Sequence, residues 1–548
     1  MRRLLPFALV ALLALTLLPG LAAVDALDER EARDLVTAFE STDHRDWLSP
    51  VFAHEPFFEK PLPGYAPEVL ALRVLRRVLP GTDSSTTDVA VSRFVRALLA
   101  AALAFAVAHT GAQLFGARAG WLAGCALASM VGLPIAARAD GVQVYTTLLT
   151  WLGVGRLLAL LAGRTRTPAA TLTLGWLALG GAAFIGGPLS ALWPLAGFAL
   201  YFGLARRHTG WRTLDPKAGL LIVLGACLPW YGLMTAIHGP EFLTHAAWFP
   251  YGSGVRGSWW SGAPIALSFA IVTSFPWTPL LAAALADATL RLRRATPAGG
   301  GALDLEHLEH LLLAIAVGAA LPVAFYPGPP LTAALPVLPA IALLVGRFAD
   351  RVLEGAGDMR AITHATRFLA VIGSAFALLG IVLASRIPNA ADALRLLAVV
   401  VFLSAWAPLL ADLRGARKLA IGLFALPAAL GAPVLHTQVL PALEPWLNAR
   451  TIAVAMERVS PPDTPLVAFE PPPASLRQAL PRNIIVRSEV SADDPVISAR
   501  DGSVYAVYRP ANEKAALGVL AALAGEREEV ARSPVLVLVR VKPGNARQ

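Results

Sequence analysis

Two short stretches near the amino end carry residue types that can do chemistry. Asp28-Glu29-Arg30-Glu31-Ala32-Arg33 places a carboxylate where it could orient or deprotonate a nucleophile, and Glu55-Pro56-Phe57-Phe58-Glu59-Lys60-Pro61-Leu62 places an ammonium where it could hold a phosphate. Between them runs Asp46-Trp47-Leu48-Ser49-Pro50. A third set, Arg138-Ala139-Asp140, stands just before an apolar run. Each has a plainer reading: Asp28 and Asp140 as helix caps, Lys60 as a lysine reaching from a membrane surface. Cys125 and Cys227 lie in apolar runs far from any ligand cluster, so neither a disulfide framework nor a metal knuckle is indicated. His245 stands without a second ligand, and Glu59 is the one nameable ligand for a divalent metal, whose requirement stays open.

These residues must be positioned by a membrane scaffold. Of 548 residues, 56% are hydrophobic and only 15% charged, and the mean hydropathy is +0.60. The net charge of +9 does not indicate nucleic acid, because the Lys and Arg residues cluster between apolar runs. Counting about 20 apolar residues per crossing, spans are expected near 3–24, 91–114, 118–136, 141–162, 169–186, 188–206, 217–237, 264–290, 308–326, 330–349, 365–385, 392–411 and 417–436, about thirteen crossings. The first also has the form of a cleavable signal; it is kept as a crossing because the alternation of loop charges depends on it. Basic residues such as Arg118, Arg164, Arg166, Arg291, Arg293, Arg294, Arg347, Arg351 and Arg417 fall in alternate loops, which assigns those loops to the cytoplasm. The 25–90 loop, Arg138 to Asp140, and the carboxyl terminus are then extracytoplasmic.

Within the long first loop, 28–41 reads as a helix with a charged face. Val69, Leu70, Leu72, Val74, Leu75 and Val78, interleaved with Arg73, Arg76 and Arg77, read as an amphipathic helix on the membrane surface. Gly116, Gly120 and Gly124 allow close helix packing. The 238–263 loop carries Phe242, Trp248, Phe249, Tyr251, Trp259 and Trp260, an interfacial aromatic set. Beyond 437, strand-like runs at 466–469, 483–487, 503–508 and 535–541 alternate with helical patterns at 444–459 and 512–531. The expected architecture is mainly α and polytopic, with a membrane domain over 1–436 and a small extracytoplasmic α/β domain over 437–548.

The order of the first-loop motifs resembles that of the polyprenyl-phosphate-dependent GT-C glycosyltransferases, which include the lipid A aminoarabinose transferases and protein mannosyltransferases. In those families an acidic pair opens the loop, an Asp-Trp-x-x-Pro stretch follows and Glu-Lys-Pro closes it. Leu228-Pro229-Trp230-Tyr231, Phe275-Pro276-Trp277, and Tyr326-Pro327 with Leu335-Pro336-Val337-Leu338-Pro339 extend the likeness over roughly 25–345. It implies Asp28 and Asp140 as catalytic carboxylates, Lys60, Arg138 and Tyr326 as binders of the donor phosphate, and Glu29, Glu59 and Arg256 in support. Asp25 and Glu29 are register alternatives to Asp28. Two lysines usual in the family are replaced here: Gly186-Gly187-Pro188 stands at one position, and none directly precedes Tyr326.

The implied activity is transfer of a sugar, with inversion, from a polyprenyl-phosphate donor to an extracytoplasmic acceptor: lipid A or lipopolysaccharide, another glycan, or protein. The partners would be the lipid-linked donor, a lipid or glycan acceptor and membrane lipids, without nucleic acid. The expected location is a bacterial inner membrane with the site on the periplasmic side. Two alternatives are a transporter or flippase of lipid-linked sugars, and a non-catalytic binder of lipid carriers.

Overall fold

A computed structural model describes residues 4–27, 29–43, 48–53, 55–58, 60–79, 85–205, 208–240, 242–243, 259–292, 303–325, 331–357, 359–480, 483–487, 503–521 and 525–543. The chain opens with the apolar helix α1 (Leu5–Leu17). The charged α2 (Glu29–Asp43) follows, with Glu29 and Glu31 in its first turn, where negative charge complements the helix dipole. A two-stranded ribbon, β1 (Val51–Phe52) and β2 (Glu55–Pro56), leads through a 3₁₀ turn at Leu62–Gly64 into α3 (Ala66–Val78). Helix α3 buries Val69 and Leu72 and exposes Leu70, Val74 and Val78, so its apolar residues serve two faces. Then come α4 (Ser85–Phe115), α5 (Ala117–Ser129), α6 (Gly132–Ala139), α7 (Gly141–Leu161) and α8 (Pro168–Gly186).

The protein is a multi-pass membrane protein. Among the described residues, eight helices are long and apolar enough to cross a bilayer, or up to ten if each sharply bent pair is one span. The expected thirteen exceeds that number. The stretches at 3–24 and 188–206 yield only Leu5–Leu17 and Leu189–Leu204, of 13 and 16 residues, shorter than a straight crossing needs. The stretches at 118–136 and 264–290 fold as helix pairs bent by 57° and 114°.

The core between α1, α4, α5, α7 and the Leu331–Leu353 span depends on small residues. A Cβ on Gly120 would run into the backbone of Ala108 and Ala112, and one on Gly124 would lie 2.9 Å from the Cβ of Ala108. The backbones of α4 and α5 thus approach as the four-residue spacing suggests. Gly116 does a different job: it faces open space, and its φ of +101° turns the chain between the two helices. Of the 238–263 aromatics, Phe242 is buried against Trp230, Met234 and Phe58, while Trp248, Phe249 and Tyr251 lie outside the described residues.

The carboxyl-terminal region holds a five-stranded mixed sheet of order β4-β3-β5-β7-β6, built from β3 (Leu466–Ala468), β4 (Ile484–Val486), β5 (Val504–Tyr508), β6 (Gly525–Arg532) and β7 (Val537–Pro543). The helix expected over 512–531 ends at Leu520, and Gly525–Arg532 is an antiparallel edge strand on β7. Its Gly-Glu-Arg-Glu-Glu-Val-Ala-Arg sequence suits an edge, where charged side chains discourage pairing with another chain.

Candidate active site

Lys60 projects from the segment between β2 and the 3₁₀ turn into a gap closed by α2 and by the α6–α7 junction. Its Nζ lies 3.2 and 3.1 Å from Oδ1 and Oδ2 of Asp34 and 3.3 Å from Oδ1 of Asp140. The lysine side chain is 13% exposed, and those of Asp34 and Asp140 are 3% and 6% exposed. The Tyr65 hydroxyl donates to Asp34 Oδ1 at 3.3 Å. Asp140 also caps α7, accepting from the amide of Gln143 at 3.0 Å. The cap reading and the site reading of Asp140 therefore describe the same side chain: one oxygen serves both contacts.

Burial alone pulls the Lys60 ammonium down in pKa, but Asp140 and Asp34 outweigh burial and hold it above its ordinary value, against Arg30. For Asp140, burial pushes the carboxyl up, while Lys60, Arg30 and the Gln143 amide together bring it below its ordinary value. Both are charged at neutral pH.

A second ionic cluster lies next to this one. Arg93 donates to Glu31 at 2.8 and 3.1 Å and to the carbonyls of Leu21, Val24 and Asp25. Arg96 grips both oxygens of Glu68 at 2.9 Å, donates to the Arg138 carbonyl at 2.8 Å and lies 3.7 Å from Glu31. Gly141 is required here, because a Cβ would meet Oε1 of Glu68 at 2.5 Å and Nε of Arg96 at 2.7 Å. The close seat of α7 on this pair fixes Asp140, its neighbour in sequence.

Of the residues singled out in sequence, Lys60 and Asp140 are brought together. Arg138 is turned elsewhere: it is buried and donates to the carbonyls of Leu17, Pro19 and Gly20, tying α6 to the end of α1. Glu29 accepts from the Ala474 amide at 2.6 Å and the Ser475 hydroxyl at 3.2 Å, joining α2 to the carboxyl-terminal region. Asp25, the other register alternative to Asp28, lies 3.6 Å from Arg450. Asp28, Glu59, Tyr326, Arg256 and His245 lie outside the described residues. Among the described residues, no group of three or more His, Cys, Asp or Glu side chains is placed to hold a metal ion.

The sequence reading missed Asp34. Its signal was available: it stands one helical turn after Arg30 on a segment expected to be helical, so the two share a face. The chemistry within reach of this arrangement is exchange of an anion onto Lys60, with carboxylates beside it to receive a proton or orient a nucleophile.

No family model matches the sequence, and neither does a curated protein. Solved structures do. The crystal structure of ArnT from Cupriavidus metallidurans bound to undecaprenyl phosphate superposes with a TM-score of 0.74 at 19% identity, covering 98% of this chain and 96% of that one. ArnT from the same organism in the apo state gives 0.73 at 18% identity with the same coverage. The chain therefore has the GT-C membrane fold of ArnT, and the resemblance carried by the first-loop motifs holds at the level of fold.

Proposed function

We propose that this protein is a membrane glycosyltransferase that moves a sugar from a polyprenyl-phosphate donor to an extracytoplasmic acceptor, with inversion. The observation that carries the proposal is the Lys60 ammonium held between Asp34 and Asp140 at the end of a membrane span, in the fold of a protein crystallised with undecaprenyl phosphate. A point-charge ammonium on a flexible stem changes partners readily. On donor entry, Lys60 exchanges a carboxylate contact for the donor phosphate. The acceptor oxygen attacks the anomeric carbon from the opposite face, the bond to the phosphate oxygen breaks, and the polyprenyl phosphate leaves with its added charge neutralised by Lys60.

In this reading Asp28 takes the proton of a hydroxyl acceptor, or orients an acceptor phosphate that is already ionised, and Asp140 positions the loop. Asp34, freed as Lys60 turns to the phosphate, is a further carboxylate beside the reacting groups. The acceptor class is lipid A or lipopolysaccharide, another glycan or protein, and the site faces the periplasm. The membrane region spans 1–436, and 437–548 forms an extracytoplasmic α/β domain. The buried pairs Lys60–Asp34, Arg93–Glu31 and Arg96–Glu68 gather near the ends of spans, which favours a transferase over a flippase with ionisable groups at mid-membrane.

The test is donor consumption by purified protein supplied with undecaprenyl-phosphate sugars. Lys60→Ala should weaken donor binding by about 1.5–3 kcal/mol, the range for hydrogen bonds to charged groups, with Lys60→Arg partly active. Unaltered lipid-phosphate binding by the alanine variant would reject the role of Lys60; absence of turnover with every donor, despite binding, would leave a carrier-binding protein instead.

A further inference from the structure

At the other end of α7 from Asp140 is a cavity of about 440 Å³ whose mouth is basic. Helix α7 has 21 residues, so the two ends stand roughly 30 Å apart, across the bilayer from one another. Arg156, Arg164 and Arg166 line the cavity with His109, Gln113 and Thr171. None of the three guanidinium groups has a carboxylate partner among the described residues. Arg156 is the telling one. It lies inside a membrane-spanning helix, five residues before its end, which is about 7.5 Å below the rim, and it is exposed. A charge at that depth is costly unless an anion or water reaches it.

Deeper than this mouth the surface turns apolar. Phe105 and Leu98 on α4 and Leu174 and Leu177 on α8 are exposed, and Leu174 itself borders the cavity. A basic mouth at headgroup depth above an apolar wall matches an anionic phosphate headgroup carrying apolar chains, and on the face opposite the Lys60 site the abundant ligand of that form is a membrane phospholipid. We infer that this cavity is a seat for an anionic phospholipid, with its phosphate held by Arg156, Arg164 and Arg166 and its acyl chains lying along Leu174, Leu177 and Phe105, on the membrane face opposite the Lys60 site. The alternation of basic loops assigns that face to the cytoplasm, where anionic headgroups are drawn to juxtamembrane Arg and Lys.

The experiment is native mass spectrometry and thermal unfolding of the full chain in neutral detergent, titrated with phosphatidylglycerol, phosphatidylcholine or inorganic phosphate. Phosphatidylglycerol should be retained and raise the Tm; the other two should not. Arg156→Gln with Arg164→Gln and Arg166→Gln should bind phosphatidylglycerol at least tenfold more weakly while keeping the wild-type Tm in detergent alone. Should that variant prove unstable, Arg156→Gln alone, compared with Arg156→Lys, carries the test, the lysine restoring retention. Equal stabilisation by phosphatidylcholine, the same Tm shift from inorganic phosphate alone, or full phosphatidylglycerol retention in the glutamine variants would each overturn the proposal.

Discussion

Helix α2 borders two buried ionic clusters that differ in how they are built. In one, Arg93 and Arg96 meet Glu31 and Glu68 with side-chain exposures of 0–4%, each arginine gripping a carboxylate through two nitrogens and adding backbone carbonyls. In the other, a single ammonium is shared by two aspartates, one of them doubling as a helix cap. Planar forks with every nitrogen engaged make a fixture. One ammonium between two acids makes a set of contacts in which one partner can be replaced. On the proposed function the difference separates what holds the fold from what would meet the donor, although the residue types and depths are similar.

The comparison breaks most visibly if the first cluster can be opened without harm. Arg96→Ala leaves Glu68 buried without its partner and should lower the unfolding free energy by about 3–5 kcal/mol, read by denaturant unfolding in detergent. Arg96→Met combined with Glu68→Leu should recover much of it, since a buried pair replaced by apolar groups is often neutral.

The second cluster, and Asp28 through the role proposed for it, should respond in turnover instead. Asp28→Asn should reduce transfer by about 10²–10⁴-fold, the contribution of a general base, with donor binding and unfolding unchanged. Asp140→Asn should be milder, and Asp34→Asn intermediate if Asp34 stands beside the reacting groups. Near-normal turnover in Asp28→Asn together with strong loss in Asp34→Asn would move the base to Asp34.

A pH series sharpens the contrast further. The Asp140 carboxyl sits below its ordinary value of 3.8 when folded, so its contribution is present above that value and is lost as pH falls through the folded one. Lys60 sits above its ordinary 10.5, so its contribution is present below that value and is lost as pH rises through the folded one. Glu68 has the opposite sign to Asp140: burial pushes it up more than Arg96 brings it down. The acid loss of Tm below about pH 4 should therefore shrink in Asp140→Asn and persist in Glu68→Gln. The smallest effect belongs to Glu29, an exposed residue whose bonds to Ala474 and Ser475 are half-buried. Glu29→Ala should cost about 0.5–1.5 kcal/mol, seen as earlier proteolysis after residue 447 and not as lost donor binding.

Much of this was legible in the sequence because membrane helices and short motifs write themselves locally. Apolar run length marked the helices, and Glu-Lys-Pro and Arg-Ala-Asp marked Lys60 and Asp140. What was not legible depends on three-dimensional partners. Arg138 reads as a phosphate binder beside Asp140, yet the end of α1 offers it three carbonyls. Asp34 belongs to no motif and acquires its place only when α2 folds against Lys60. The charged run at 525–532 has helix-forming residues, and only its pairing with apolar β7 makes it a strand.

Both clusters hang on one short helix, and successive residues of a helix are rotated by a fixed step. Glu31 and Asp34 lie three residues apart, so α2 cannot swivel to release Lys60 without dragging Glu31 out of the grip of Arg93. If a donor arrives as proposed, what yields is therefore the tether of the lysine, its own four-carbon stem, while the acidic wall behind it stays put like the fixed jaw of a vice.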